Sequence, residues 1–287
     1  MSTLISIARA QANLSGTRVS QLLGIGRATL YRHLRAAPPL DRDVVVRDRI
    51  QRIALEMPAY GYRRITAQLH REGIAVNHKR VLRLMREDNL LCLRTRPFVC
   101  TTDSAHGYTI YPNVVPTLDV SGLNQLWIAD ITYVRLQYEF VYLAVVLDAF
   151  SRRCIGWCLE RHLRTELTLA ALCMALTNRA IGPGLVHHSD RGVQYAAHAY
   201  TDLLTAHGIQ ISMSRRANPY DNAQAESFMK TLKYEEVHIN DYETLEEARA
   251  SIGHFLEAVY NQKRLHSALG YCPPAEFEAA LNQATAP

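Results

Sequence analysis

Asp130, Asp190 and Glu226 are carboxylates in settings that ordinary surface acids do not occupy. Asp130 interrupts the alternating run Leu126-Trp127-Ile128-Ala129-Asp130-Ile131-Thr132-Tyr133-Val134, where a mid-strand charge is costly unless something such as a divalent cation compensates it. Asp190 ends the short apolar run that begins at Leu185 and is followed by Arg191-Gly192, a strand-to-loop exit of the kind that often carries catalytic groups. Glu226 belongs to a helix introduced by the turn Pro219-Tyr220-Asp221-Asn222, and at 100° per residue it shares a face with Lys230 and Lys233. Carboxylate oxygens of this kind suit hard divalent cations. Taken alone, Glu226 and Lys230 also read as a surface i,i+4 ion pair worth roughly 0.2 to 0.5 kcal/mol.

The elements that must position these acids can be read from the same stretch. From Asn124 the pattern has period two, and it predicts strands over 125–136, 139–147 and 153–159 joined by short turns as an antiparallel meander. A helix over 165–180, a strand over 185–189, a helix over 198–207, a strand over 209–212 and two long helices over 222–237 and 244–260 follow. This is an α/β pattern, a mixed sheet flanked by helices. Ala225, Phe228 and Leu232 form the face of the Glu226 helix that should pack on the sheet. Asp148 is the chief rival to the three acids because it too ends a strand. The Ala-Phe-Ser-Arg-Arg that follows it suits a turn capped by the Asp148 side chain. Asp221 reads as a helix cap, and His187 and His188 as strand-end residues rather than ligands.

The first 100 residues hold 18 Lys/Arg against 7 Asp/Glu, an excess of +11, while the remaining 187 hold 14 against 20, or −6, for a net +5. A basic region beside a mildly acidic globular one is the footprint of a nucleic-acid grip joined to something else. Val19 to Leu34 reads as helix, glycine-containing turn and helix, with Leu30 and Leu34 facing inward and Arg27, Tyr31 and Arg35 along the exposed face for phosphates. A second helical unit follows Pro38-Pro39. In it Asn77 caps a helix over 78–87 whose apolar side is Val81, Leu84 and Met85 and whose basic side is Lys79, Arg83 and Arg86, flanked by Arg80. The expected division is 1–38 and 41–100 as two DNA-binding helical units, 101–120 as a linker, and 121–287 as the catalytic portion. The six cysteines form no CxxC pair and read as reduced, buried thiols. No secretory-leader pattern opens the chain, and its longest apolar stretch, Phe140 to Leu147, is far short of a membrane span, so a cytoplasmic setting is expected.

Asp190 and Glu226 have 35 residues between them, and Lys233 follows Glu226 by seven. This spacing resembles the DDE triad of the retroviral-integrase superfamily. The chain resembles more closely the second-frame transposase of the IS-three family of bacterial insertion sequences. The resemblance rests on Tyr60-Gly61-Tyr62-Arg63-Arg64-Ile65, Val76-Asn77-His78-Lys79-Arg80-Val81, Leu147-Asp148-Ala149-Phe150-Ser151-Arg152-Arg153, His188-Ser189-Asp190-Arg191-Gly192-Val193-Gln194-Tyr195, Asp221-Asn222-Ala223 with Glu226-Ser227-Phe228, and Arg264-Leu265-His266-Ser267-Ala268-Leu269-Gly270-Tyr271. It covers nearly the whole chain from residue 60.

The resemblance implies a ribonuclease-H-like fold, a mixed five-stranded sheet flanked by helices and preceded by small all-α helix-turn-helix domains. It implies that Asp130, Asp190 and Glu226 hold two Mg²⁺ or Mn²⁺ ions about 3.5 to 4 Å apart, which activate an attacking oxygen and stabilise the leaving one. Cleavage of insertion-sequence ends and strand transfer through a circular intermediate would follow. Lys233, with Lys230 beside it, becomes a DNA contact near the active site. Arg264 and His266 become helix-end packing and DNA contact. The implied partners are terminal-repeat and target DNA, further copies of the chain, and an upstream-frame helix-turn-helix and leucine-zipper protein, since no heptad run occurs in residues 1–60. No paired His and Cys spacing for a zinc module is present. Two other readings share these residues, a catalytically silent DNA-end-binding regulator and a nuclease that cuts without joining.

Overall fold

The computed structural model describes residues 15–22, 24–35, 43–90, 107–215 and 219–284. Two compact units divide within one helix, at Arg52/Ile53. In the first, α1 (Gly16–Leu22) and α2 (Arg27–Arg35) meet through Val19, Leu30 and Ile25. Gly24 turns the chain between them at φ +63°, a left-handed conformation that costs glycine little. Leu30 is buried as expected, whereas the side chains of Leu34 and Arg35 lie outside the described residues.

Helix α3 (Val44–Glu56) carries the boundary, and α4 (Tyr62–Arg71) and α5 (His78–Glu87) follow it. Asn77 caps α5 by accepting the Lys79 backbone N–H, and Val81, Leu84 and Met85 are buried on its inner side. The segment from residue 53 onward belongs to the same compact unit as the sheet. Its ties run to the far end of the chain. The Leu265 N–H donates to the Tyr60 hydroxyl at 2.7 Å, Arg64 Nε donates to the Leu265 carbonyl at 3.1 Å, and Arg71 pairs with Glu276.

The sheet is built from β1 (Leu126–Arg135), β2 (Phe140–Asp148), β3 (Cys154–Glu160), β4 (Val186–Ser189) and β5 (Gln210–Met213), in the order β3-β2-β1-β4-β5. The first three are antiparallel, as the meander predicts, while β4 and β5 run parallel to β1. Between them lie α6 (Thr165–Asn178), one helical turn at Val193–Ala196 and α7 (His198–Ala206). Then come α8 (Ala223–Leu232), α9 (Leu245–His254) and α10 (Pro274–Ala284), the first two prolonged by π-helical turns at Lys233–Val237 and Phe255–Tyr260.

Period-two alternation gives the sheet two apolar faces. Val134, Val145 and Leu147 pack with Phe228, Leu232, Ile252 and Phe255 on one side. Trp127, Ala129, Ala144 and Val146 pack with Leu167, Ala171 and Tyr200 on the other. On that second side, a Cβ at Gly156 would come within 2.2 Å of the Ala171 carbonyl oxygen, so glycine is what lets β3 approach α6. Residues 107–120 are irregular, yet they are docked rather than loose. Val114, Val115, Leu118 and Val120 pack against Leu126, Ile128, Val186 and Ala225, and the Val114 N–H donates to Ser212 Oγ. Of the cysteines, Cys154 is buried, Cys158 and Cys272 are half-buried and Cys173 is exposed, so burial of all six does not hold; Cys92 and Cys100 lie outside the described residues.

Candidate active site

Register brings the first two acids together. Leu126, Trp127 and Ile128 pair with Val186, His187 and His188, so the same offset carried two residues on sets Asp130 beside Asp190, just past the end of β4. Leu126, Ile128 and Val186 share one apolar cluster with Ala225 of α8. Asp130 therefore lies, by alternation, on the sheet face that α8 covers. Glu226 follows Ala225 in the first turn of α8 and is exposed.

Electrostatics reports the convergence. The Asp130 carboxyl is pushed up to about 8, first by burial and next by the charge of Asp190, with Glu226 adding to the rise. The Ile131 N–H, donating to Asp130 Oδ1 at 2.9 Å, and the nearby Lys233 ammonium oppose it. Both other carboxylates thus lie near enough for their charge to act on Asp130. Among the described residues, no three His, Cys, Asp or Glu side chains close to ligating distance.

The loop after β4 is shaped around Asp190. The Gly192 N–H donates to Asp190 Oδ1 at 2.9 Å, and a Cβ at Gly192 would stand 3.0 Å from that oxygen and 3.2 Å from Gln194 Oε1. Tyr195, in the helical turn that follows this loop, has its hydroxyl buried and without a hydrogen-bond partner among the described residues. Burial, then Tyr200, then the charges of Asp130 and Asp190 hold its phenol far above the ordinary value. The motif containing Tyr195 is visible in the sequence, but nothing in the sequence shows that the charges of two acids reach its phenol.

The rival carboxylate behaves differently. Asp148 is fully buried, and its Oδ1 accepts from Phe150 N and Ser151 N while its Oδ2 accepts from Asn124 N. It caps the β2–β3 turn, as expected. The N-cap position of α8 is held by Asn222, and Asp221 is engaged by an arginine. Its carboxylate takes both Nε and Nη2 of Arg215 and the Arg215 backbone N–H, and Arg215 holds it down at about 2. His187 and His188 are buried inside β4, where His188 bridges Ser212 and Ser214 and His187 meets the Tyr200 hydroxyl. Burial depresses His187 to about 3 and His188 to about 4, leaving both imidazoles neutral at physiological pH.

The comparisons decide the family. Residues 121–219 and 207–274 match two models described as integrase core domain, and residues 41–98 match one described as HTH-like domain. The chain is 36% identical over 275 residues to the insertion element IS600 31 kDa protein of Shigella sonnei, covering 93% of this chain and 99% of that one. It is 38% identical to the transposase for insertion sequence element IS904 of Lactococcus lactis, over 76% of this chain and 87% of the relative. With transposase InsF for insertion sequence IS3A of Escherichia coli, identity is 37% over 76% of each. The chain belongs to the IS3-type insertion-sequence transposases. Among solved structures, the catalytic core domain of BIV integrase aligns with a TM-score of 0.42 at 19% identity, over 56% of this chain and 99% of that one.

The transposase is thus an enzyme of DNA cleavage and joining built on an integrase core. Its basic residues are dispersed. Arg27 and Tyr31 are exposed on α2, while only the backbone of Arg35 is described. Lys79, Arg83 and Arg86 are exposed on α5, and Arg83 pairs with Glu87 at 2.8 Å. Lys230 is exposed on α8 and, among the described residues, forms no ion pair with Glu226. Lys233 is half-buried, its Nζ 4.3 Å from the centre of the Tyr133 ring, and burial lowers its ammonium while Asp130 raises it. Arg264 is buried in a bidentate pair with Glu235 at 2.7 Å, which fits the packing role expected of it. No helix among the described residues is long and apolar enough to cross a membrane.

Proposed function

We propose that Asp130, Asp190 and Glu226 are the catalytic carboxylates of this transposase and hold its divalent ions. The observation that carries this is Asp130, a mid-strand acid within reach of the charge of two further acids and lifted to about 8. Three carboxylates that repel one another offer only oxygen donors, a set suited to Mg²⁺ or Mn²⁺. Two such ions, when bound, would sharpen the attacking oxygen and stabilise the leaving one.

The protein's own contribution is position. Asp130 is fixed by the β1 ladder, Asp190 by the Gly192 N–H, and Glu226 by the packing of Ala225 and Phe228 behind it. In the first step water attacks phosphorus and the bond to the DNA 3′-oxygen breaks, leaving a free 3′-hydroxyl. In the second, that hydroxyl attacks another phosphodiester, so one P–O bond forms as one breaks and no nucleotide is consumed. Lys233 offers positive charge beside Asp130 for the incoming phosphate. Arg27, Tyr31, Arg35, Lys79, Arg83, Arg86 and Lys230 are assigned to grip DNA away from the reacting bond, through contacts that position without reading bases. Joining two ends requires at least two copies of the chain on DNA, alone or with an upstream-frame helix-turn-helix and leucine-zipper protein.

A cleavage-and-joining assay with Mg²⁺ on duplexes carrying the element's terminal repeats tests the assignment. Asp190→Asn and Glu226→Gln are each expected to abolish both nicking and joining while DNA binding persists. Normal joining by either variant would overturn it.

A further inference from the structure

Beside α8 lies a cavity of about 140 Å³ that the triad does not use. Its walls come from distant parts of the chain, with Arg64 of α4, Arg152 of the β2–β3 turn, Ser227 and Thr231 of α8, and Arg264 and His266 of the segment after α9. Three guanidiniums around one cavity are expensive unless each has a counter-charge. Among the described residues only Arg264 forms an ion pair with a carboxylate, although the charge of the same Glu235 also reaches Arg64. Arg264 is neutralised by Glu235, and Arg64 rests over the Tyr60 ring with its Nε on the Leu265 carbonyl. Among the described residues, no carboxylate pairs with Arg152.

Two further features mark the cavity as poised for an anion. Arg152 sits at φ +63°, a left-handed conformation costly for any residue with a Cβ and natural for glycine, yet an arginine occupies it. His266 is depressed to about 3 by burial and then by Arg264, Arg64 and Arg152, so it stays neutral and its ring adds a polar edge without a further positive charge. Ser227, Ser267 and Ala268 at the cavity's edge are exposed, which leaves an entrance. The volume exceeds that of several waters at roughly 30 Å³ each, enough for a tetrahedral phosphate group.

We propose that this cavity is a subsite for one backbone phosphate of the DNA being cut, held by Arg152 and Arg64 with the Ser227 and Thr231 hydroxyls. Ser227 follows Glu226 in α8, about 100° further round the helix, so the cavity lies on the flank next to the one that bears the triad carboxylate. The inference rests on the triad reading for its direction along the DNA. It explains why an arginine is held in a left-handed turn with, among the described residues, no carboxylate paired to its charge. It also gives α8 two roles, a carboxylate for chemistry and hydroxyls for positioning.

The test measures binding of the full-length protein to a mixed-sequence duplex over a range of salt concentrations, with inorganic phosphate titrated in parallel. Arg152→Gln removes the charge, and Arg152→Gly removes it while relaxing the backbone, so the second variant folds even if the first does not. Both are expected to flatten the plot of log affinity against log salt by about 0.9, the loss of one phosphate contact. A wild-type slope in the folded Arg152→Gly protein overturns the proposal. So does weakened binding of inorganic phosphate with an unchanged DNA slope, which would make the cavity a site for a free anion. Failure of the triad reading appears separately, as joining that survives in Asp190→Asn.

Discussion

Asp130 and Asp148 lie on neighbouring, paired strands and have opposite fates. Asp148 is closed off from solvent and meets three backbone N–H donors within 3.0 Å, so its charge is satisfied by the fold itself. Asp130 has the backbone N–H of Ile131 and, near enough for their charge to act on it, two more carboxylates. One acid is used to build the turn, and the other is held at a cost that the fold does not repay. A buried charge whose surroundings oppose it is a candidate for chemistry, and one whose surroundings complete it is a candidate for structure.

The largest effect should come from neutralising Asp130. Asp130→Asn is expected to lower the joining rate on the order of 10³-fold, the several kcal/mol that a metal-assisted step supplies. With its carboxyl lifted to about 8, Asp130 is already largely protonated at pH 7 in metal-free buffer, so the same change should leave the melting temperature level there and raise it above pH 8. A clear fall in Tm would make Asp130 a structural residue and erase its contrast with Asp148.

Asp148→Ala should do the reverse. Leaving the amides of Asn124, Phe150 and Ser151 without an acceptor costs about 3 kcal/mol, to be read as a lower urea midpoint at unchanged slope. Joining per folded molecule should stay within a few-fold of wild type. Loss of joining in a protein of undiminished stability would show that Asp148, too, serves the chemistry.

Both aspartates were legible in the sequence because their signals are local. Period two marks β1 and β2, and Ala-Phe-Ser-Arg-Arg after Asp148 announces a turn that needs a cap. What stayed hidden depends on partners far along the chain. Arg264 reads as a motif residue, but its clamp on Glu235 lies 29 residues away. Asp221 looks like a helix cap until Arg215 folds back onto it. Residues 107–120 read as a linker because they lack periodicity, although their valines and Leu118 are what cover Leu126 and Ile128. Helix α10 gave no signal of its own, and its Glu278 reaches residues 99 to 127 positions upstream.

Glu278 extends the comparison to a third acid, buried but well partnered. Burial raises its carboxyl, and hydrogen bonds from Arg179, Ser151 and Arg153 outweigh that and hold it below the usual range. A depressed folded-state value means the stabilisation is fully present above the unfolded value near 4.3 and is lost as pH falls through the folded one. Glu278→Gln is therefore expected to cost about 2 kcal/mol at pH 7, in keeping with hydrogen bonds to a charged group, and progressively less below pH 4. Urea unfolding at pH 7 and pH 3 measures it. A penalty that is constant with pH would mean that shape, and not charge, is what Glu278 supplies.

The smallest effect carries the same contrast to the basic side of the molecule. Among the described residues no carboxylate pairs with Arg27, whereas Arg83 is engaged by Glu87 within one helical turn. An exposed i,i+4 pair is worth only roughly 0.2 to 0.5 kcal/mol, but it already supplies Arg83 with a counter-charge that a phosphate would have to displace. Arg27→Gln should therefore flatten the salt dependence of DNA binding by about 0.9, and Arg83→Gln by visibly less. Measuring both slopes on one duplex decides between them. Equal slopes would show that a surface pair does not withhold an arginine from DNA, and that the rule separating Asp130 from Asp148 holds only where water is excluded.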